Sequence, residues 1–239
     1  LPILPLRLIE KYFPLLQSHV DISVAKILIN RNADDNFERV KLIRQLAGPT
    51  TELRLEFNGK MQFSEVVGNV EKLLPFNISA LEEPLPPQNI QELKKIRSEF
   101  GLNLVADESM VSLTHAKSLL KDDTYNIFNI KISKCGGMLR SKQIADFAIE
   151  HGIKCQVGTH VGESKILTIA GERFARSLKN FDCYGGGSEI LFSRLFEKGG
   201  TEPDVLKHPH TFQRGFLNDE ELVNLTSNFP LLMDLKAGD

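Results

Sequence analysis

Apolar and polar positions along the chain follow two rhythms that take turns. Ile22–Ile29 is a β-branched run, and Glu38–Ala47 after it carries Val40, Ile43 and Ala47 at helical spacing. In Glu52–Asn58, Leu53, Leu55 and Phe57 fall on one face of an extended segment and Arg54, Glu56 and Asn58 on the other. Phe63–Leu74 reads as a helix, and Ile78–Leu81 as a short strand that runs into Glu82-Glu83-Pro84. Asn89–Phe100 is a helix stopped by Gly101, and Leu102–Ala106 a strand ending at Asp107-Glu108-Ser109. Helix Leu113–Leu120, strand Tyr125–Ile132, helix Leu139–His151, strand Ile153–Val157, helix Ser164–Leu178 and a last short strand Phe181–Tyr184 complete the pattern.

Strands alternating with helices of this length predict parallel βαβ units. About seven such strands fit between Ile22 and Gly187, and for a chain of 239 residues that number favours a (β/α) barrel of TIM type. An open dinucleotide-binding sheet would carry a Gly-rich turn after its first strand, where this chain has Asn30-Arg31-Asn32. The expected organisation is a lead-in over residues 1–21, a barrel over 22–191, and a tail over 192–239, punctuated by Pro203, Pro209 and Pro230, packed on the barrel.

Composition narrows the function. Lys plus Arg number 29 against 31 Asp plus Glu, so no basic excess is available for nucleic acid. No uncharged apolar run approaches the roughly 20 residues of a membrane span, and the first residues do not read as a signal peptide. Cys135, Cys155 and Cys183 form no close metal-binding pair, so a reduced cytoplasm is the expected setting.

The candidate chemistry lies at the strand ends. Glu56, Glu82, Asp107 and Lys131 follow one another at spacings of 26, 25 and 24 residues, one βα unit each. In a parallel barrel the C-terminal strand ends share one mouth, so three carboxylates converge there and repel unless a cation lies between them. Oxygen ligands without Cys or His select a hard ion such as Mg²⁺. A single acid at a strand end is ordinarily a solvated loop residue or a helix cap, and Asp107 or Ser109 could cap the next helix. The regular recurrence is what argues otherwise. Lys131, between Ile130 and Ile132, reads as a strand lysine, costly to bury unless paired or neutral. A nearby cation would lower its pKa and suit it to proton transfer.

The segments Leu53–Gly59 (LRLEFNG), Leu81–Leu85 (LEEPL), Ala106–Ser109 (ADES), Asn129–Gly137 (NIKISKCGG) and Gln156–Ser164 (QVGTHVGES) resemble successive strand-end motifs of the enolase superfamily, closest to its muconate-lactonizing-enzyme and mandelate-racemase-like members. The resemblance runs from about Ser23 to Tyr184. It implies a modified (β/α) barrel binding one Mg²⁺ through Glu56, Glu82 and Asp107. It also implies Lys131 as an acid/base lysine, and Asn58 and Glu108 as groups that orient the ligands. The shared chemistry is removal of a proton α to a carboxylate through an enediolate. Three departures stand out. Glu56 replaces the usual Asp. In the Lys-x-Lys pair of the second strand, Lys26 fits the first lysine and Leu28 takes the place of the second, unless the register slides by two and makes Lys26 the base. The N-terminal cap domain that selects substrate is expected either to be missing or to lie outside this sequence.

His160 and Glu163, in the turn after Ile153–Val157, are candidates to touch substrate at the mouth. Lys134, three residues past Lys131, would point to the other face in a strand and reads as a loop lysine. Gly136-Gly137 and Gly185-Gly186-Gly187 read either as anion cradles or as tight turns, and His208 and His210 as a surface loop. The expected function is a lyase or isomerase (cycloisomerase, o-succinylbenzoate-synthase-like dehydratase or epimerase) acting on a small carboxylate, with homo-oligomer formation compatible. The competing reading is a barrel that binds metal and a carboxylate ligand without turnover.

Overall fold

The computed structural model describes residues 5–18, 22–160, 163, 165–179 and 181–185. Seven strands alternate with helices as the pattern predicts. After α1 (Leu6–Gln17) come β1 (Val24–Leu28), α2 (Ala33–Ala47), β2 (Glu52–Glu56), α3 (Phe63–Leu73) and β3 (Ile78–Glu82). The order continues with α4 (Ile90–Phe100), β4 (Asn103–Ala106), α5 (Leu113–Asp122), β5 (Ile127–Ile130), α6 (Met138–Glu150), β6 (Lys154–Gly158), α7 (Lys165–Ser177) and β7 (Phe181–Gly185). The chain divides into two units, residues 1–189 and 190–239. The expected tail over 192–239, with His208 and His210, lies outside the described residues, as do Gly186 and Gly187.

All neighbouring strands pair in parallel in the order β1 to β7. The sheet curls into a nearly closed barrel. Arg54 on β2 donates to Gln156 Oε1 on β6 at 2.9 Å and pairs with Asp182 on β7 at 2.5 Å. In a flat sheet, four strand spacings of about 4.8 Å would hold β2 and β6 about 19 Å apart.

Period-2 alternation sorts the strand residues. Ala25, Ile27, Leu53, Leu55, Leu81, Leu104, Phe128, Ile130, Cys155 and Val157 are buried in one apolar cluster with helix residues such as Val40, Ile43, Val66, Leu93 and Ile144. Burying each large aliphatic side chain there contributes about 1.5–3 kcal/mol. The opposite face carries a small apolar floor of Ala80, Val105 and Ile127. Two residues further along each strand, on the same face, the side chains turn polar: Glu82, Asp107 and Asn129. The inner face is therefore apolar low on β3 to β5 and polar above, while on β2 the buried Arg54 stands level with Ala80.

Two differences from the sequence pattern have local causes. The lead-in contains α1, whose Ile9 and Phe13, one turn apart, are buried in the main cluster. Helix α2 starts at Ala33, five residues before the expected Glu38. Asn32 caps it, its Oδ1 accepting from the N–H groups of Asp34 and Asp35 at 3.1 Å each. Among the described residues no helix is long and apolar enough to cross a membrane.

At Gly158 the inner wall has no room for a side chain: a Cβ would lie 2.4 Å from Asn129 Oδ1. Gly158→Ala is expected to displace the buried Asn129 and lower stability by about 1–3 kcal/mol, measured as a shift in the urea midpoint.

Candidate active site

Alternation and register bring the strand-end groups together. Leu28, Glu56 and Glu82 are partners across β1, β2 and β3. Asp107 follows β4 directly, and Lys131 follows β5. Lys131 is thus just past its strand rather than inside it, because the chain turns at once: the N–H of Cys135 donates to Lys131 O at 2.9 Å and that of Gly137 to Ile132 O at 2.8 Å. The same turn makes Lys134 a loop lysine, as expected, and also aims it into the site: Lys134 Nζ donates to Asp107 Oδ1 at 2.5 Å, Asp107 O at 2.6 Å and Asn129 O at 2.9 Å.

Asp107, 1% exposed, is the hub. Its Oδ2 accepts from Lys131 Nζ at 2.5 Å, so the carboxylate is clasped by two ammonium groups. Burial opposes its ionisation, but Lys134 and Lys131 outweigh burial and hold its pKa well below the usual carboxylate range. Glu82, fully buried, accepts from Lys26 Nζ at 2.7 Å, Asn129 Nδ2 at 2.9 Å and Gln156 Nε2 at 3.1 Å. Lys26 also lies 3.3 Å from Glu56 Oε2. Burial disfavours the Lys26 ammonium, yet Glu82 and Glu56 raise its pKa above the ordinary value. Carboxylate oxygens of Glu56, Asp107 and Glu108 lie within 4.8 Å of one another. Burial, with Asp107 adding to it, raises the pKa of Glu108.

The other expected residues are placed more loosely. Asn58 sits in a left-handed turn after β2 (φ 54°), with no side-chain hydrogen bond to this group among the described residues. His160 is exposed, and its Nδ1 lies 2.8 Å from Ser133 Oγ, on the turn that carries Lys131 and Lys134. Partial burial and the nearby Lys131 lower its pKa. The Glu163 N–H donates to His160 O at 3.2 Å. Gly136 adopts φ 82° and borders, with Lys134, Val111 and Arg140, a cavity of about 320 Å³.

Four participants escaped the sequence reading: Lys134, Asn129, Gln156 and Glu83. Asn129 carried a usable signal, since it shares its strand face with Lys131 two residues on, and Gln156 stands level with Asn129 across β5 and β6. Glu83, 1% exposed, accepts hydrogen bonds from the N–H groups of Asp107 and Ser109, from Ser109 Oγ and from Tyr125 Oη. Burial pushes its carboxyl up to about 7 against those hydrogen bonds.

The carboxylate oxygens of Glu56, Asp107 and Glu108, without sulfur or imidazole among them, form a donor set that fits a hard divalent cation, and Glu82 adjoins it through Lys26. Lys26, Lys131 and Lys134 supply the compensating charge here.

The family model for enolase C-terminal domain-like proteins matches residues 15–220. The chain is 30% identical over 155 residues to the hydrophobic dipeptide epimerase of Enterococcus faecalis, covering 65% of this chain and 44% of that protein. It is similar to the crystal structure of an Enterococcus faecalis dipeptide epimerase complexed with Mg and the dipeptide L-Leu-L-Tyr, at TM-score 0.66 and 26% identity over 72% of this chain and 49% of that one. A muconate cycloisomerase variant matches at TM-score 0.66 and 25% identity, over 75% of this chain and 50% of that one. The chain spans about half the length of the curated relatives it matches.

Asp107→Ala is expected to leave Lys131 and Lys134 buried side by side without a counter-ion, at a cost of about 3–5 kcal/mol. Adding Lys134→Met should recover part of that loss, since it removes one of the two stranded charges. Urea unfolding of both variants in chelated buffer measures the difference.

Proposed function

The chain belongs to the enolase C-terminal domain-like family, and from that premise we propose that it is the barrel of an enzyme that removes the proton α to a carboxylate, with Lys131 as the base. The observation that supports this best is the meeting of Glu56, Glu82, Asp107 and Lys131, from four successive βα units, at one barrel mouth. Glu56, Glu82 and Asp107 would hold Mg²⁺, with Glu108 close enough to orient or supplement them. When bound, the cation supplies positive charge beside the substrate carboxylate, which acidifies the neighbouring C–H. Lys131 takes the proton; Asp107 keeps its amine at the mouth, and Lys134 shares the hold on Asp107.

Register favours one-base chemistry. Leu28 is level with Glu56, where an opposing base would stand, and Lys26 is one layer deeper, level with Arg54 and engaged by Glu82 and Glu56. Inversion at the α-carbon needs a proton carrier on each face, and Leu28 carries none. The reading is therefore an isomerisation or elimination on a small carboxylate in which one lysine both takes and returns the proton.

Magnesium titration by calorimetry tests the metal site: Glu56→Gln and Glu82→Gln should abolish saturable binding, whereas Glu108→Gln should weaken it by about tenfold. Incubation with N-acyl amino acids and dipeptides in D₂O tests the chemistry. Deuterium should enter the α-carbon without inversion, and Lys131→Ala should slow exchange by about 10²–10⁴-fold. Accumulation of the opposite epimer would sink the one-base reading. Intact Mg²⁺ binding with no exchange on any substrate would favour a carboxylate-binding barrel without turnover.

A further inference from the structure

Glu83 touches neither the lysines nor the gathered carboxylates, yet it contacts the chain on both sides of them. One oxygen, Oε2, accepts the N–H of Asp107 at 2.7 Å and the N–H of Ser109 at 3.3 Å, together with Ser109 Oγ at 3.0 Å. These donors flank Glu108, so a single carboxylate oxygen grips both ends of the tripeptide that presents Asp107 and Glu108. The second oxygen, Oε1, is itself held by Tyr125 Oη at 3.2 Å. On the opposite flank, Glu83 O accepts the N–H of Gly59 at 2.7 Å, in the turn that leaves Glu56. Gly59 lies in the left-handed region (φ 61°), and a Cβ there would stand 3.4 Å from Glu83 Cγ, so the turn after β2 closes directly on this residue.

Several features show that this position is built for more than filling space. Glu83 is a non-glycine residue at φ 40°, a conformation most side chains avoid. It is 1% exposed, and burying a carboxylate is costly unless its oxygens are hydrogen-bonded, as these are. Both oxygens are used, by the turn after β4 and by Tyr125, two residues before β5, so the carboxylate joins successive strand ends. An apolar residue could fill the volume and could not hold the two amides.

We infer that Glu83 is the positioning residue of the barrel mouth, whose carboxylate fixes the Asp107-Glu108-Ser109 turn so that Asp107 and Glu108 face Glu56. The inference deepens the metal-centre reading above and rests on it only for its consequence, not for the hydrogen bonds themselves. A carboxamide at position 83 keeps an oxygen that can accept both N–H groups; an alanine keeps none.

The test uses Glu83→Gln and Glu83→Ala in the full chain, with two readouts. The first is amide hydrogen exchange of the metal-free protein. The Asp107 and Ser109 amides should exchange slowly in the wild type and in Glu83→Gln, and about tenfold or more faster in Glu83→Ala, relative to the amides of Leu104 and Val105. The second is calorimetric Mg²⁺ affinity, expected to fall by about 10–100-fold in Glu83→Ala and to be largely rescued in Glu83→Gln. Fast exchange of the Asp107 and Ser109 amides in the wild type overturns the inference even if Glu83→Ala fails to fold. So does a Glu83→Ala protein that melts earlier while keeping wild-type exchange and Mg²⁺ affinity, which is the mark of a merely structural role. If the wild type binds no Mg²⁺ but the amide pattern holds, the metal-centre reading fails and the positioning of the turn stands.

Discussion

Charge compensation at the mouth of the barrel governs the rest of the structure. Glu56, Glu82, Asp107 and Glu108 are carried to one place by the common direction of parallel strands, and carboxylates so close together in a partly dehydrated space repel strongly. The chain answers with Lys26 on Glu82 and Glu56, and with Lys131 and Lys134 on Asp107. Each ammonium is in turn removed from water at a cost that these carboxylates help to offset. The arrangement is mutually dependent: acids and lysines are each tolerable because of the other. It is also poised for chemistry, since a small cation can share the carboxylates with the lysines.

Strand alternation is what lets the barrel carry this ionic layer. Outward residues supply the apolar seal with the helices, and the inward Ala80, Val105 and Ile127 close the floor. Asn129 and Gln156 donate to Glu82 from the inward face, and on β1 and β2 the polar groups Lys26 and Arg54 reach one layer deeper. Arg54 ties β2 to β6 and β7 through the interior, a link that only curvature makes possible. Around Glu82 and Asp107 the polar layer is densely hydrogen-bonded, with Asn129 Oδ1 and Arg54 Nε left as buried atoms without a hydrogen bond among the described residues.

Much of this was legible along the chain. The alternation of period 2 with period 3.6 marks every strand and nearly every helix, because burial of one face is a local property of the sequence. The spacing of Glu56, Glu82, Asp107 and Lys131 repeats with the βα unit, so their convergence follows from topology alone. The motifs around them resemble the family to which the chain belongs. Helix α1 was less visible: it lies in a segment broken by prolines, and its burial depends on two residues, Ile9 and Phe13.

What the tertiary structure decided is where turns send side chains. Lys134 reads as a loop lysine with no role in the site, and it faces Asp107 only because β5 ends at Ile130 and the chain folds back through Cys135 and Gly137. Glu83 reads as strand-end punctuation, and its role exists only because the backbone of the β4 turn passes within hydrogen-bonding distance. Leu28 and Lys26 show the division most clearly. The sequence by itself determined which strand ends carry acids and lysines, since periodicity and unit length are encoded residue by residue. Which of those groups touch was left to the barrel's register and turns, because a hydrogen bond depends on distances between segments far apart along the chain.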